Sequence, residues 1–230
     1  MRTLVLALFC CTHAWAFAAE PTHRDVEYAR IGQHALLLDV YQPRAQKTAA
    51  NPLVVWVHGG AWRSGSKSGV PILRWLDKGF AIASVDYRLS PEAKFPAQVH
   101  DIRAAIRFLR AHGEQYNIDP QRIVIAGASA GGHLAALVGV SHGVPELEGT
   151  AGQDTKTDSS VTAILSFYGA SNLQSILSQS TEHGLSVRVP ALELLLGGQP
   201  REKIDLARMA SPVAHVDGTD PPLWLIHGDA

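Results

Sequence analysis

The chain has 230 residues, of which 46% are hydrophobic and 18% are charged, and its formal net charge is −1. This length and apolar content are sufficient for the buried core of one domain. The balanced charge argues against a nucleic-acid partner, because neutralising phosphates requires a concentration of basic residues. The histidines and carboxylates lack the tight spacing of metal ligands, so neither a metal nor another cofactor is expected.

The first residues have the pattern of an export signal. Arg2 precedes an apolar stretch at residues 4–11, and alternating small residues follow. This pattern predicts a secretory signal peptide that covers residues 1–18 and is cleaved after Ala18, with Ala16 as the alternative. The apolar stretch is too short to span a bilayer, so no stable membrane insertion is expected. The sequence thus predicts a secreted or periplasmic protein.

Both cysteines, Cys10 and Cys11, lie within this segment. Lipid attachment at one of them is an alternative to simple cleavage, although Phe9 is large for the residue before a lipidated cysteine. Residues 19–230 contain no cysteine, and we expect them to form one domain that is held together by packing alone.

Apolar strands alternate with helical segments along the rest of the chain, which predicts a largely parallel sheet covered on both faces. The predicted strands are 35–41, 53–57, 80–85, 123–126, 161–167 and 223–226. The predicted helices are 70–78, 96–112, 132–139, 191–196 and 202–210. Residues 143–160 read as a long surface loop, and residues 171–216 read as an insertion that roofs a pocket.

A glycine-containing loop, His58-Gly59-Gly60-Ala61-Trp62, directly follows the strand at 53–57. Acyl transfer needs hydrogen-bond donors aimed at the carbonyl oxygen that becomes negative in the tetrahedral intermediate. Backbone amides can be these donors, and glycine allows the backbone to approach that oxygen closely. We therefore predict that the amides of Gly60 and Ala61 contribute to an oxyanion hole. Gly59 is an alternative to either of them.

The helix at 96–112 carries two stripes of side chains. Its apolar stripe, which should face the sheet, consists of Val99, Ile102, Ile106 and Leu109. A second stripe is formed by Arg103, Arg107 and Arg110. An anionic partner for these arginines is conceivable, but a charged helix face of this kind more often points into solvent, and we expect a solvated face here.

The segment Gly127-Ala128-Ser129-Ala130-Gly131 lies between an apolar strand and a stretch of small residues. The order strand, glycine-flanked serine, helix is the nucleophile elbow of acyl-transfer hydrolases. The bend is so sharp that the residues two positions before and after the serine must be very small. Ser129 is therefore the predicted nucleophile, and the amide of Ala130 the third donor of the oxyanion hole.

Together these motifs resemble the hormone-sensitive-lipase-like group of α/β-hydrolase esterases, and within it the bacterial feruloyl and acetyl carbohydrate esterases. The resemblance rests on five segments in the family's order: 58–62, 86–89, 95–96, the elbow at Ser129, and 222–228. It implies an α/β-hydrolase fold and hydrolysis of small acyl or aryl esters, carbohydrate-linked ones included, through an acyl-enzyme. Ala61 stands where many relatives have a third glycine, which leaves its amide available.

The family's order places an acid and then a histidine after the serine. The acid normally follows a late strand in a His-Gly-x-x-Asp pattern, and His227-Gly228-Asp229 begins that pattern. We expect the acid one residue beyond Ala230 and the histidine further on, with the last strand and helix of the fold also missing. Asp229 is an alternative acid. The 230 residues are thus expected to be a fragment with little or no turnover.

Three aromatic residues that follow strands, Trp62, Tyr87 and Tyr168, are candidates for lining an aryl or sugar pocket, although such residues also pack in cores. Residues 86–89 are expected to brace the structure. Two other functions stay open: an amidase resembling arylformamidases, and a binding protein that keeps the hydrolase fold without chemistry. The sequence leaves the oligomeric state undetermined.

Overall fold

The computed structural model describes residues 19–45 and 49–228. A seven-stranded sheet with strand order β1-β2-β4-β3-β5-β6-β7 organises this part of the chain. The strands are β1 His23–Ile31, β2 His34–Tyr41, β3 Asn51–Val57, β4 Ala81–Val85, β5 Ile118–Ala128, β6 Ala163–Phe167 and β7 Leu223–Ile226. The helices are α1 Ala97–Ala111, α2 Ala130–Val140, α3 Pro145–Glu148, α4 Glu182–Leu196 and α5 Ile204–Met209. Two 3₁₀ turns span Leu73–Lys78 and Pro212–Ala214.

The sheet is parallel from β4 through β7, and only β1 and β2 run antiparallel. Alternate residues of β3 show how both faces are covered. Val55 belongs to the large core beneath α1 and α2, whereas Val54 and Trp56 belong to a smaller core with the 3₁₀ turn on the opposite face. The predicted α/β-hydrolase architecture, with helices on both faces of a mostly parallel sheet, is confirmed.

The strand register explains where a site can form. Val57, at the end of β3, pairs with Gly127 of β5, which pairs with Ser166 of β6. Phe167, the last residue of β6, pairs with Ile226 of β7. The segments that leave these four strands therefore emerge side by side at the carboxyl edge of the sheet, where α/β proteins bind ligands.

Several element predictions require correction. β1 was not predicted, because its alternation is interrupted by charged residues and by register shifts against β2. The predicted helix at 70–78 is a 3₁₀ turn, the predicted loop at 143–160 contains α3, and α4 begins nine residues before the predicted helix at 191–196. In α4, Gly184 and Pro190 hide the helical pattern from sequence reading.

The prediction of a solvated arginine face on α1 is wrong. Arg103 and Arg107 are 0% and 2% exposed. The loop between α2 and β6 folds over them and supplies its carbonyl oxygens: Arg107 donates to Glu148 O and Ala151 O, both at 3.1 Å. Arg110 donates to Ser160 O at 2.7 Å. The arginines therefore fasten this loop onto the core.

Arg103 is the most enclosed of the three. Its guanidinium donates to Ser159 Oγ at 2.8 Å and to Val138 O and Ser141 Oγ at 3.1 Å, and Glu148 lies 3.4 Å away. Burial lowers the pKa of Arg103, and attraction to Glu148 opposes this effect. Burial of the group is tolerated because these hydrogen bonds and the nearby carboxylate replace contacts with water.

We predict that Arg103→Met lowers the free energy of unfolding by about 3 kcal/mol, because it leaves buried hydroxyls and Glu148 without their cation. Urea denaturation measures the loss. The matched control is Arg122→Met, since the Arg122 pair with Asp119 is at the surface with the Arg122 side chain 54% exposed. Its expected cost is below about 1 kcal/mol. Equal losses for the two variants would contradict the structural role of Arg103.

Candidate active site

Ser129 lies on the sharp bend between β5 and α2, with φ of 55° and ψ of −120°. A non-glycine residue rarely adopts this backbone conformation. The flanking glycines make it possible: a Cβ on Gly131 would lie 2.1 Å from Val57 O, and a Cβ on Gly127 would lie 2.3 Å from Gly131 O. The Ser129 amide donates to Phe167 O at 2.9 Å, which ties the bend to β6.

The glycine loop after β3 is also held in an unusual conformation. Gly60, Ala61 and Trp62 have consecutive positive φ values of 105°, 51° and 59°. The Gly60 carbonyl accepts from the amides of Arg63 and Ser64 at 3.0 and 3.1 Å, and from the Ser64 hydroxyl at 3.1 Å. Because the peptide bond is trans, the amide of Ala61 points away from this inward-facing carbonyl.

The loop and the bend meet at Gly59. A Cβ on Gly59 would lie 2.8 Å from Ala128 O and 3.4 Å from Ser129 Cβ, so only glycine allows this approach. Ala61, Ser129 and Ala130 line one cavity of about 500 Å³. Gly59 and Gly60 line an adjoining groove that also contains Ser129. The structure therefore brings every residue of the predicted oxyanion hole to the predicted nucleophile.

The three amides predicted to form the oxyanion hole, those of Gly60, Ala61 and Ala130, have no hydrogen-bond acceptor within the described residues. Ser129 itself is exposed. Free amides beside an accessible hydroxyl form an arrangement that can stabilise a negative oxygen as it develops on a bound carbonyl compound.

A buried hydrogen-bonded chain supports the loop from below. Trp62 Nε1 donates to His133 Nδ1 at 3.0 Å, and His133 Nε2 is 2.7 Å from Ala210 O. Since Nδ1 must accept, Nε2 carries the proton and donates to Ala210. Complete burial lowers the pKa of His133 to about 4, which keeps the imidazole neutral. These two hydrogen bonds connect the glycine loop, α2 and the segment after α5.

Charged groups anchor Lys67, five residues after the glycine loop. Lys67 Nζ lies 2.6 Å from Asp25 Oδ1 and 2.9 Å from Asp39 Oδ1, and the Lys67 amide donates to Asp86 Oδ1 at 2.7 Å. Burial disfavours the charge on Lys67, but the two carboxylates outweigh burial and raise its pKa. Residues 86–89 act as the expected brace, since the Tyr87 hydroxyl donates to His58 O at 3.0 Å.

Of the aromatic candidates for the pocket, Trp62 and Tyr168 line the cavity beside Ser129, and Tyr87 is buried against His58, whose ring it stacks on at a centroid distance of 4.4 Å. His58 itself bonds its neighbour, with Nδ1 2.8 Å from Gly59 O, and burial lowers its pKa. His58 is thus part of the loop's support.

Two histidines, His183 and His227, line the cavity that contains Ser129. Neither is hydrogen-bonded to Ser129 or paired with a carboxylate, and no Asp or Glu lines this cavity among the described residues. The described part of the chain therefore does not assemble a serine–histidine–acid triad. Asp229, the alternative acid, lies outside the described residues.

The wall of the cavity opposite the glycine loop comes from residues 168–191. Most of this segment belongs to residues 171–216, the insertion that was predicted to roof a pocket. Sequence reasoning did not identify its polar side chains as site residues, because no motif surrounds them. They are Ser171, Asn172, Gln179, His183 and Arg188.

Searches for a metal cluster and for a membrane-spanning helix gave no candidate. Within residues 19–45 and 49–228, no three His, Cys, Asp or Glu side chains are grouped so that they could hold a metal ion. None of the helices in the same ranges has both the length and the apolar character needed to cross a bilayer.

A serine on a strand-to-helix bend, next to a glycine loop at the carboxyl edge of a mostly parallel sheet, defines the α/β-hydrolase class. The family comparison is more specific, because the BD-FAE family model matches residues 38–230. The chain belongs to the BD-FAE family.

The curated relatives are ester hydrolases. The chain is 32% identical to the probable carboxylic ester hydrolase LipM of Mycobacterium tuberculosis over 210 residues, which is 89% of this chain and 47% of LipM. It is also 32% identical to the esterase LipC of the same organism, covering 84% of this chain and 48% of LipC. The chain thus spans about half the length of these relatives.

Solved structures agree with the fold and the family. A truncated form of a carbohydrate esterase from gut microbiota is 35% identical with a TM-score of 0.79, covering 90% of this chain and 76% of that one. Esterase 2 of Thermogutta terrifontis is 28% identical with a TM-score of 0.71, covering 91% and 71%. The predicted resemblance to bacterial carbohydrate and feruloyl esterases is confirmed at the level of the family.

We predict that His133 makes folding sensitive to acid. Its pKa is lowered to about 4 in the folded chain from 6.5. Below pH 6.5 the unfolded chain therefore binds a proton that the folded chain excludes, so stability falls as the pH is lowered towards 4. The full effect is about 3 kcal/mol.

The check is urea denaturation between pH 7 and pH 4 for the natural chain and for His133→Gln, which keeps a donor and an acceptor but does not titrate. The variant should lose less stability over this interval. Parallel pH curves for the two proteins would refute the prediction.

Proposed function

We propose that the protein is a serine carboxylic-ester hydrolase that acts on small acyl or aryl esters, carbohydrate-linked ones included. Ser129 attacks the ester carbonyl, and the amides of Gly60, Ala61 and Ala130 stabilise the oxyanion. Water then hydrolyses the acyl-enzyme. The observation that carries this proposal is the approach of the loop to the bend, with the Gly59 Cβ position 3.4 Å from Ser129 Cβ.

The relatives support the substrate class. Thermogutta terrifontis esterase 2 has been solved phosphonylated by sarin, and with propionate or butyrate bound. These bound acids support short acyl groups as the acyl part of the substrate that we propose here. The cavity beside Ser129, at about 500 Å³, has room for a small acyl group together with an alcohol such as a sugar unit.

We further propose that these 230 residues turn over substrate slowly. The described residues bring no imidazole–carboxylate pair to Ser129, and loss of the base in a serine triad costs on the order of a millionfold in turnover. The free amides should still favour attack, so a residual rate above that in water is expected. Under these conditions an acyl-enzyme formed from an activated ester should persist, because its hydrolysis needs the same base.

The proposal predicts that 4-nitrophenyl acetate acetylates Ser129. Intact-protein mass spectrometry should show the added mass of one acetyl group, and peptide mapping should place it on Ser129. Ser129→Ala should abolish this label. The control is Ser178→Ala, since Ser178 is an exposed serine that does not line the cavity, and it should label normally.

Acetylation elsewhere, or none in a folded chain, would reject the serine mechanism and favour a binding protein. Faster release of aniline from formanilide than of nitrophenol from 4-nitrophenyl formate would instead favour the amidase.

We propose that residues 1–18 direct the protein to the periplasm or the exterior. These residues lie outside the described ones, so the proposal rests on their sequence pattern. We predict that Edman sequencing of the protein exported from a bacterial host finds Ala19 as the first residue. Replacing Ala16 and Ala18 with leucine should retain the leader and reduce export. An unprocessed N-terminus in the exported natural chain would refute signal cleavage.

A further inference from the structure

The cavity beside Ser129 has a positively charged residue and no negatively charged one among the described residues that line it. Among the described residues that line it, Arg188 is the only Lys or Arg, and there is no Asp or Glu. The other polar side chains are neutral hydrogen-bonding groups and two histidines. A cavity of this composition is suited to a ligand with a negative charge and hydroxyl groups.

Arg188 is held in a defined position by the segment that precedes its helix, α4. Its Nη1 donates to Ser180 Oγ at 2.7 Å, and Ser180 Oγ donates in turn to Ile176 O at 2.6 Å. A Cβ on Gly184 would lie 2.6 Å from Arg188 Nη1, so glycine at this position makes room for the guanidinium. Glycine inside a helix costs about 1 kcal/mol relative to alanine, and here it permits this placement.

Most of the guanidinium is available to a ligand. The bond to Ser180 is its only hydrogen bond within residues 19–45 and 49–228, and its acceptor is a neutral hydroxyl. A guanidinium presents five N–H donors in a planar fork that matches the two oxygens of a carboxylate. The remaining donors can therefore bind a carboxylate with two parallel hydrogen bonds.

We propose that Arg188 binds a carboxylate on the ester substrate, so that the preferred substrates are acylated acidic sugars, such as acetylated uronic acids. This inference rests on the proposed function for the position of the ester at Ser129. Asn172 and Gln179, which line the same cavity, are placed to bond sugar hydroxyls. Tyr168, 60% exposed and also in the lining, offers an aromatic face to a sugar ring.

The test uses two ligands that differ in one group: a mono-acetylated methyl galacturonoside, and the matching galactoside, in which a hydroxymethyl group replaces the carboxylate. Binding is measured by isothermal titration calorimetry on the full chain with Ser129→Ala, which cannot form the acyl-enzyme. A charge-assisted hydrogen bond contributes enough for the acidic ligand to bind about tenfold more tightly or better.

Arg188→Gln in the same background should bring the ratio of the two affinities close to one. Arg188→Lys keeps the charge but loses the fork and should give an intermediate ratio. Gly184→Ala should lower the ratio by displacing the guanidinium. The control is Arg201→Gln, because Arg201 is 85% exposed and does not line the cavity, and it should keep the natural ratio.

Equal binding of the two ligands, binding of neither by a folded chain, or a preference that survives Arg188→Gln would overturn the assignment. These outcomes are separate from the acetylation of Ser129. If the preference depends on Arg188 but Ser129 is not acetylated, the carboxylate-binding site is supported and the esterase function is rejected. If Ser129 is acetylated but no such preference is found, the esterase function is supported and the role of Arg188 is rejected.

Discussion

The candidate site depends on a contact between two turns, one after β3 and one after β5. The backbones of these turns touch, with no side chain between them. Three glycines create this contact: a Cβ on Gly59, Gly127 or Gly131 would lie between 2.1 and 2.8 Å from a backbone carbonyl oxygen of the adjoining segment. Because Val57 of β3 is paired with Gly127 of β5, the two turns lie side by side at the same edge of the sheet. The geometry of the candidate site therefore follows from backbone packing, which also positions the side chain of Ser129.

Such a contact places strain on the backbone, and the surrounding structure has to hold it. Positive φ values at Ala61, Trp62 and Ser129 each carry a cost, on the order of 1–3 kcal/mol. The bond of Ser129 to β6 and that of Trp62 to His133 oppose relaxation of the two turns. His133 is suited to this task because its second nitrogen is also bonded, so no buried polar atom of the ring is left without a partner.

The sequence predicted the fold class and the elements around the nucleophile, because these follow from local patterns. A strand, a glycine-flanked serine and a small-residue helix are adjacent in the chain, and so are β3 and its glycine loop. The wall formed by residues 168–191 could not be predicted in the same way. Arg188 is brought into the cavity that contains Ser129 by the path of a whole insertion, and α4 carries a glycine and a proline that obscure its periodicity.

Arginine shows most clearly what a pattern leaves undetermined. The stripe on α1 has the spacing of a solvated face, yet a distant loop covers it with carbonyl oxygens, and Arg103 and Arg107 are buried. Burial is tolerated there because Arg103 donates three hydrogen bonds and Arg107 two to polar atoms of the protein, and Glu148 lies close to both. Arg188 is half-buried, and in the described part of the chain it has a single acceptor, which is neutral. The buried arginines thus have their anionic and polar partners inside the fold. For Arg188, the partner that we propose is the carboxylate of a molecule that enters the cavity.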